Sequence, residues 1–170
     1  MKELHAHISL ADLGHERLAC ANINPTTGLA TDYLNHFNEV IMLLEMLPAM
    51  PDCVEDVLDW KPKSYIEHFE DSSFSERELA IEAYYAAPSH TRDALEMAIQ
   101  AVDKEVGDIQ SVLCTMEVTN PDYLRELQYK VSEVIQPLVC SCIGIIHGRE
   151  SNAAPVEQDT IQADVDALFS

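Results

Sequence analysis

Histidines and carboxylates stand one helical turn apart at two places, the spacing with which one helix can present two ligands to a metal ion. His36 and Glu39 form such a pair, His147 and Glu150 repeat the spacing, and His5 and His7 form a third small cluster. No glutamate is followed three residues later by a histidine, the pattern of carboxylate-bridged two-metal bundles. A metal-dependent or redox helical bundle using His36, Glu39 and a histidine from a neighbouring helix is one hypothesis; a hydrogen-bonded histidine at the margin of a core is the alternative.

Neither the cysteines nor any of the common catalytic motifs indicates that the protein is an enzyme. Cys140 and Cys142 form a C-x-C pair, but residues two apart on a helix point to opposite sides. The five cysteines are an odd number and scattered, which favours reduced thiols in a cytoplasm. There is no glycine-rich phosphate loop and no G-x-S-x-G elbow. We therefore expect no cofactor and a binding role rather than catalysis.

The charge of the chain narrows the class of partner. Ten basic residues against 30 acidic ones leave a formal net charge of −20 over 170 residues. Such a field repels nucleic acid phosphates and anionic lipid heads, so we expect neither nucleic acid nor a membrane as partner. The N-terminus lacks the apolar core of a signal peptide, and no apolar run approaches the ~18 residues needed to span a bilayer. A basic protein surface remains an attractive partner.

The element that must position these groups is a central helix predicted from Thr31 to Leu47. Its apolar residues recur at steps of three and four, which places them on one stripe: Tyr33, Phe37, Val40, Ile41, Leu44 and Leu47. Met42, Leu43 and Met46 add apolar surface on other faces, which predicts that the last two turns are enclosed by neighbours. Thr31 or Asp32 can cap the helix, and Pro48 must end it.

Further helical segments surround it, and no run of alternating residues indicates a strand. They are predicted over about Ser9–Ala21, from Pro51 to Trp60, over Ser64–Phe69, from Ser75 to Pro88, from Ser89 or Thr91 to Leu113, and from Pro121 onwards. Ser64 with Glu67 and Ser75 with Glu78 have the spacing of capping boxes. The prediction is an all-α helical bundle of five to seven helices, spanning residues 1–148.

The last long helix carries a seam of apolar residues typical of antiparallel bundles: Leu124, Leu127, Val131, Val134 and Leu138. Pro137 should kink it. A structural bundle that forms a homodimer through this seam is a third hypothesis.

The composition changes after the predicted bundle. Residues 149–159 are polar and contain a proline, which predicts a flexible linker. In residues 160–170 the apolar side chains of Ile161, Val165, Leu168 and Phe169 stand at i, i+4, i+7 and i+8. A short helix there would present one apolar face and an acidic back, and would fold upon a groove. That groove belongs either to a partner or to the chain's own helical domain.

The segment Gln162–Phe169 resembles the short peptide with which the flagellar motor switch protein FliM binds phosphorylated CheY, the chemotaxis response regulator. The family pattern is glutamine, any residue, an acid, isoleucine or valine, aspartate, alanine, leucine, then leucine or phenylalanine, and QADVDALF fills every position. Two departures are Ile161 in place of the usual serine cap and the position at the C-terminal end of this chain. The resemblance implies that Val165, Leu168 and Phe169 enter a receiver groove, and that Asp164 and Asp166 face its basic rim.

The layout of helical domain, tether and terminal receiver-binding helix is also similar to the chemotaxis phosphatase CheZ. That family's catalysis uses an aspartate and a glutamine one helical turn apart, and no aspartate here has a glutamine four residues later; Glu96 with Gln100 is the nearest substitute. Glu117 and Asn120 have the spacing of another phosphatase family but flank a predicted loop. We therefore expect a cytoplasmic adaptor that binds a CheY-like receiver domain in chemotaxis or two-component signalling.

Overall fold

The structure is a computed structural model that describes residues 8–149. Within this range the chain is all-α, with eight helices and no β-strand, so the all-α part of the predicted fold class is confirmed. The helices are α1 (Leu10–Leu13), α2 (His15–Cys20), α3 (Asn35–Met46), α4 (Val54–Asp59), α5 (Tyr65–Asp71), α6 (Arg77–Ala86), α7 (Ser89–Leu113) and α8 (Pro121–Ile146). The prediction of five to seven helices is one too few.

The eighth helix arises because the predicted N-terminal helix is divided at Gly14. This glycine has φ +88°, a conformation that glycine adopts without steric cost and that interrupts an α-helix. Ser9 caps α1, and its hydroxyl exchanges hydrogen bonds with Asp12 in a capping box. Gly14 therefore ends α1 and begins α2, and the two short helices replace one longer one.

The central helix α3 follows a turn of 3₁₀ helix at Thr31–Leu34. The six residues of its predicted stripe are all buried: Tyr33, Phe37, Val40, Ile41, Leu44 and Leu47. The prediction that the last two turns are enclosed is wrong for Met42, whose side chain is 54% exposed. α3 packs against α4 and α8, and solvent covers the side on which Met42 lies.

The two predicted capping boxes have different outcomes. The Ser64 hydroxyl accepts from the Glu67 N–H and the Glu67 carboxylate accepts from the Ser64 N–H, so α5 begins as predicted. The Ser75 capping box is wrong: α6 begins at Arg77, and no side chain caps it. The Arg77 N–H donates to the Phe74 carbonyl instead, so backbone closes the turn that a serine was expected to close.

The two longest helices, α7 and α8, pack closely against each other. Asn120 caps α8, its side chain accepting from the Asp122 and Tyr123 N–H groups, and Pro121 occupies the first turn. At Val131–Ile135 the helix widens into a π-helical turn before it resumes at Gln136. Pro137 lacks an N–H and its ring crowds the preceding turn, and the π-helical turn gives the backbone room for it.

The buried stripe of α8 lies beside the predicted seam. It consists of Tyr123, Leu127, Val131, Ile135, Val139, Cys142, Ile143 and Ile146, whereas Leu124, Val134 and Leu138 are half-buried. Leu127 and Val131 of the predicted dimer seam therefore already belong to the chain's own core. Among the described residues, α8 is also long and apolar enough to cross a membrane by length and composition alone.

The predicted linker and the predicted receiver-binding peptide lie outside the described residues, apart from Arg149 at the start of the linker. This applies to every residue of the predicted binding site: Ile161, Gln162, Asp164, Val165, Asp166, Leu168 and Phe169.

Candidate functional site

The C-terminal turn of α8 lies at the end of the range that the structure describes. Gly148 has φ +74°, its N–H donates to the Ile145 carbonyl at 3.0 Å, and the Arg149 N–H donates to the Gly144 carbonyl at 2.8 Å. These two bonds form a Schellman motif, the turn with which a glycine ends a helix. α8 therefore ends before Gly148.

A second contact holds this turn against the N-terminal part of the domain. The Thr27 hydroxyl donates to the Ile146 carbonyl at 2.6 Å and accepts from the Leu29 N–H, while Thr27 is only 3% exposed. Asn24 positions Thr27, since its side-chain oxygen accepts from the Thr27 N–H. The C-terminal end of α8 is thus anchored by a residue more than a hundred positions away in sequence.

His36, the first candidate metal ligand, is occupied by a structural role. Its Nε2 donates to the Lys61 carbonyl at 2.6 Å, and its ring stacks on Trp60 at 4.7 Å between centroids. The Trp60 indole N–H donates in turn to the His36 carbonyl at 3.0 Å. His36 therefore joins α3 to the segment after α4, as expected of a hydrogen-bonded histidine at the edge of a core.

Glu39, the second candidate ligand, is exposed, and the structure brings His36 close to a different histidine. The His36 and His68 rings lie 6.4 Å apart, and the His68 Nε2 lies 3.8 Å from the Asp32 carboxylate. Burial lowers the pKa of both imidazoles, which favours their neutral forms. Among the described residues, no three histidine, cysteine, aspartate or glutamate side chains are grouped so that they could hold a metal ion.

The proximity of His68 and Trp60 to His36 carries no signal in the sequence. Trp60 lies 24 positions and His68 lies 32 positions after His36, and both lie outside α3, so no periodicity within one element relates them to His36. The break after α4 brings them together: Tyr33 donates its hydroxyl to the Lys63 carbonyl, which holds this segment against α3. A lysine-proline-lysine stretch after a tryptophan indicates that a helix ends, but not what its carbonyls contact.

A carboxyl group and a thiol are further candidates for chemistry within the core of α7 and α8. Asp103 is half-buried, its Oδ1 has no hydrogen-bond partner, and burial raises its pKa to about 6. Cys142 is buried, and burial raises the pKa of its thiol to about 12, so the reactive thiolate is disfavoured. Burial also raises the pKa of the half-buried Cys140 thiol. These environments fit structural thiols better than a redox pair.

The groups closest to phosphatase motifs serve local structure. Glu96 accepts a hydrogen bond of 2.6 Å from the Tyr84 hydroxyl, which connects α7 to α6. Gln100 is exposed on the same helix. Asn120 is the cap of α8, so its side-chain oxygen already accepts from two backbone N–H groups.

Comparison of the chain with protein-family models, with curated proteins and with solved structures found no match.

Proposed function

We propose that the protein is a cytoplasmic adaptor in which a helical bundle carries a C-terminal peptide that binds a CheY-like receiver domain. The observation that carries this proposal is the segment Gln162–Phe169, which fills every position of the FliM-type pattern. In a helix its apolar residues would share one face, flanked by Asp164 and Asp166. A short amphipathic helix of this kind binds by laying its apolar face into a groove.

The end of α8 supports this division of the chain into domain and peptide. The Schellman motif at Gly148 and the Thr27 contact end the helix before the polar residues begin. Eleven residues, 150–160, then separate Arg149 from Ile161. As the predicted flexible linker, these residues would keep a receiver held by the peptide near the bundle at an effective concentration of about a millimolar.

The distribution of charge supports a partner with a basic surface. Residues 150–170 hold five acidic residues and no basic residue, and the whole chain has a formal charge of −20. The acidic back of the peptide would face the basic rim of a receiver groove, as the FliM resemblance implies. Opposite potentials steer two proteins toward each other and suppress wrong partners.

The experiment is a binding assay with the CheY-like receiver domains of the same cell, each measured with and without a phosphoryl mimic. Fluorescence anisotropy of a labelled receiver should report binding by the full chain, and deletion of residues 160–170 should abolish it. Leu168→Ala combined with Phe169→Ala should weaken binding at least tenfold, because two buried apolar anchors are lost.

The matched control is Met97→Ala, which removes an apolar side chain that is 72% exposed on α7. It should leave receiver binding unchanged. Circular dichroism of all variants should show the same helix content, since neither change touches the described core. Equal receiver binding by the full and shortened chains, or binding by neither, would refute the proposal.

A further inference from the structure

A small cavity lies between α3 and the π-helical turn of α8. It has a volume of about 260 Å³ and is lined by two residues of α3 and three of α8: Leu44, Glu45, Gln128, Val131 and Ser132. Leu44 and Val131 are buried and give the cavity an apolar floor, whereas the other three residues are exposed at its rim. Sites for drug-sized ligands begin at about 300 Å³ and combine apolar surface with a few polar groups. The cavity therefore suits a shorter ligand.

The carboxylate of Glu45 is held in place, and no lysine or arginine of the two helices neutralises it. The Gln136 side-chain amide donates to one of its oxygens at 2.9 Å, which leaves the second oxygen able to accept. α3 contains no lysine or arginine. Both basic residues of α8 pair with other carboxylates: Arg125 with Asp122, and Lys130 with Glu105. The charge of Glu45 is therefore available to a cation from outside.

The π-helical turn adds hydrogen-bond acceptors from Ser132. The Gln136 N–H donates to the Val131 carbonyl, and Pro137 has no N–H, so neither of these residues donates to the Ser132 carbonyl. The Ser132 hydroxyl donates to the Tyr129 carbonyl at 3.3 Å, and its lone pairs can still accept. π-helical turns occur frequently at functional sites. Ser132 thus contributes two acceptors to a cavity that already contains a carboxylate.

These groups favour one class of ligand. A negative charge and unused acceptors attract a positively charged group that carries several N–H donors, and they repel an anion. A divalent metal ion fits poorly, because Glu45 is the only carboxylate that lines the cavity and no three potential ligands are grouped among the described residues. Leu44 and Val131 favour a hydrocarbon chain behind the charge. A primary ammonium on a short alkyl chain meets all of these requirements.

We propose that this cavity is a binding site for a short primary alkylammonium group, which we call the ammonium site. The ammonium donates to the Glu45 carboxylate and to Ser132, while the alkyl chain lies against Leu44 and Val131. The formal charge of −20 raises the concentration of such cations near the surface. The ammonium can belong to a free amine or to a lysine side chain of another protein, and the site does not depend on the receiver-binding peptide.

Titration of the isotope-labelled full chain with butylammonium chloride tests the ammonium site, with sodium chloride at equal concentration as the reference. The amide NMR resonances of Glu45, Gln128 and Ser132 should shift together and saturate at millimolar ligand, since so small a ligand buries little surface. Tetramethylammonium has the charge but no N–H donor, and butanol has the alkyl chain but no charge. Each should bind about tenfold more weakly. Equal binding of all three compounds, or shifts that do not saturate, would overturn the proposal.

Two glutamate substitutions provide a matched test of the site. Glu45→Gln removes the charge, while the side-chain oxygen can still accept from Gln136. Glu133→Gln makes the same change of charge at an exposed residue of the π-helical turn that does not line the cavity. Glu45→Gln should weaken butylammonium binding about tenfold, and Glu133→Gln should change it less than about twofold. Both variants should keep the wild-type helix content by circular dichroism. Equal losses of binding would show that net charge alone attracts the amine, and would refute the site.

The source of the ammonium group is distinguished by a second probe, N-acetyl-lysine amide, which carries the same alkylammonium on a peptide backbone. Binding at least as tight as that of butylammonium would assign the site to a lysine side chain of a partner protein, and exclusion of this probe would assign it to a free amine. Because these titrations contain no receiver domain, the ammonium site and the adaptor proposal can fail separately.

Discussion

At the scale of single residues, the carboxyl group of Asp103 makes the stability of the helical domain depend on pH. Its pKa is raised to about 6 by burial, above the ordinary aspartate value of about 3.9 in an unfolded chain. The folded state therefore favours the protonated form, and the free energy of unfolding falls as pH rises from about 4 through 6. Above pH 6 the charge is buried and its Oδ1 has no hydrogen-bond partner.

The variant Asp103→Asn removes this charge while keeping the shape of the side chain. It should stabilise the protein relative to the wild type, and the gain should be about 1 kcal/mol larger at pH 7.5 than at pH 5, after allowance for solvent screening. Urea unfolding at the two pH values measures this difference. A gain that is equal at both values would show that the Asp103 carboxyl does not titrate in this range.

His36 should contribute more to the free energy of unfolding than Glu39, although the two residues lie one helical turn apart. His36→Ala removes the stacking on Trp60 and the hydrogen bond to the Lys61 carbonyl, and should lower the free energy of unfolding by about 1–2 kcal/mol. Glu39→Ala changes an exposed side chain and should stay within about 0.5 kcal/mol of the wild type. Chemical denaturation measures both.

Elemental analysis of the same two purified variants tests the metal hypothesis. If His36 and Glu39 were ligands, the wild type would contain near-stoichiometric metal, and both substitutions would remove it. If the role of His36 is structural, metal content should not differ among the three proteins.

At the scale of elements, two serines with the same capping-box spacing in the sequence should contribute differently to the free energy of unfolding. Ser64 caps α5 in a reciprocal capping box with Glu67, whereas the Ser75 side chain does not cap α6. Ser64→Ala should therefore cost about 1 kcal/mol of the free energy of unfolding, and Ser75→Ala less than about 0.5 kcal/mol. Thermal and urea unfolding of both variants measure the costs, and equal losses would mean that Ser75 caps α6 in solution.

Some features of these helices could be predicted from the sequence, and others could not. The stripe from Tyr33 to Leu47 was predictable because apolar periodicity reflects burial directly. The break at Gly14 was not, because a glycine inside a helical pattern is tolerated as often as it ends a helix. Ser75 and Glu78 have the spacing of a capping box, but a hydrogen bond from the Arg77 N–H to the Phe74 carbonyl closes this turn instead.

At the candidate site, too, the sequence predicted some features and not others. The position of His36 at a core margin followed from its place on the helical wheel, but its partners Trp60 and His68 come from tertiary packing that no local spacing encodes. The π-helical turn of α8 likewise depends on how Pro137 and the core are accommodated together, although the proline itself was visible.

At the scale of the whole molecule, the acidic charge should act mainly on the rate at which a receiver is captured. Charges steer association while two proteins are still apart, and close apolar contacts govern dissociation. Raising the salt concentration from 0.1 M to 1 M shortens the Debye length from about 10 Å to about 3 Å. Charges near the peptide then matter most, because those elsewhere on the domain are screened.

We expect this salt increase to lower the association rate constant for a receiver about tenfold, with the dissociation rate constant changing less than about twofold. Glu157→Gln with Asp159→Asn removes two charges next to the peptide without touching residues 160–170, and should reduce the salt dependence of association. Glu55→Gln with Asp59→Asn removes two exposed charges from α4 and should have a smaller effect. Stopped-flow measurement with the same receiver distinguishes them. Because both pairs change the net charge equally, equal effects would show that total charge governs capture, and a salt effect confined to dissociation would exclude electrostatic steering altogether.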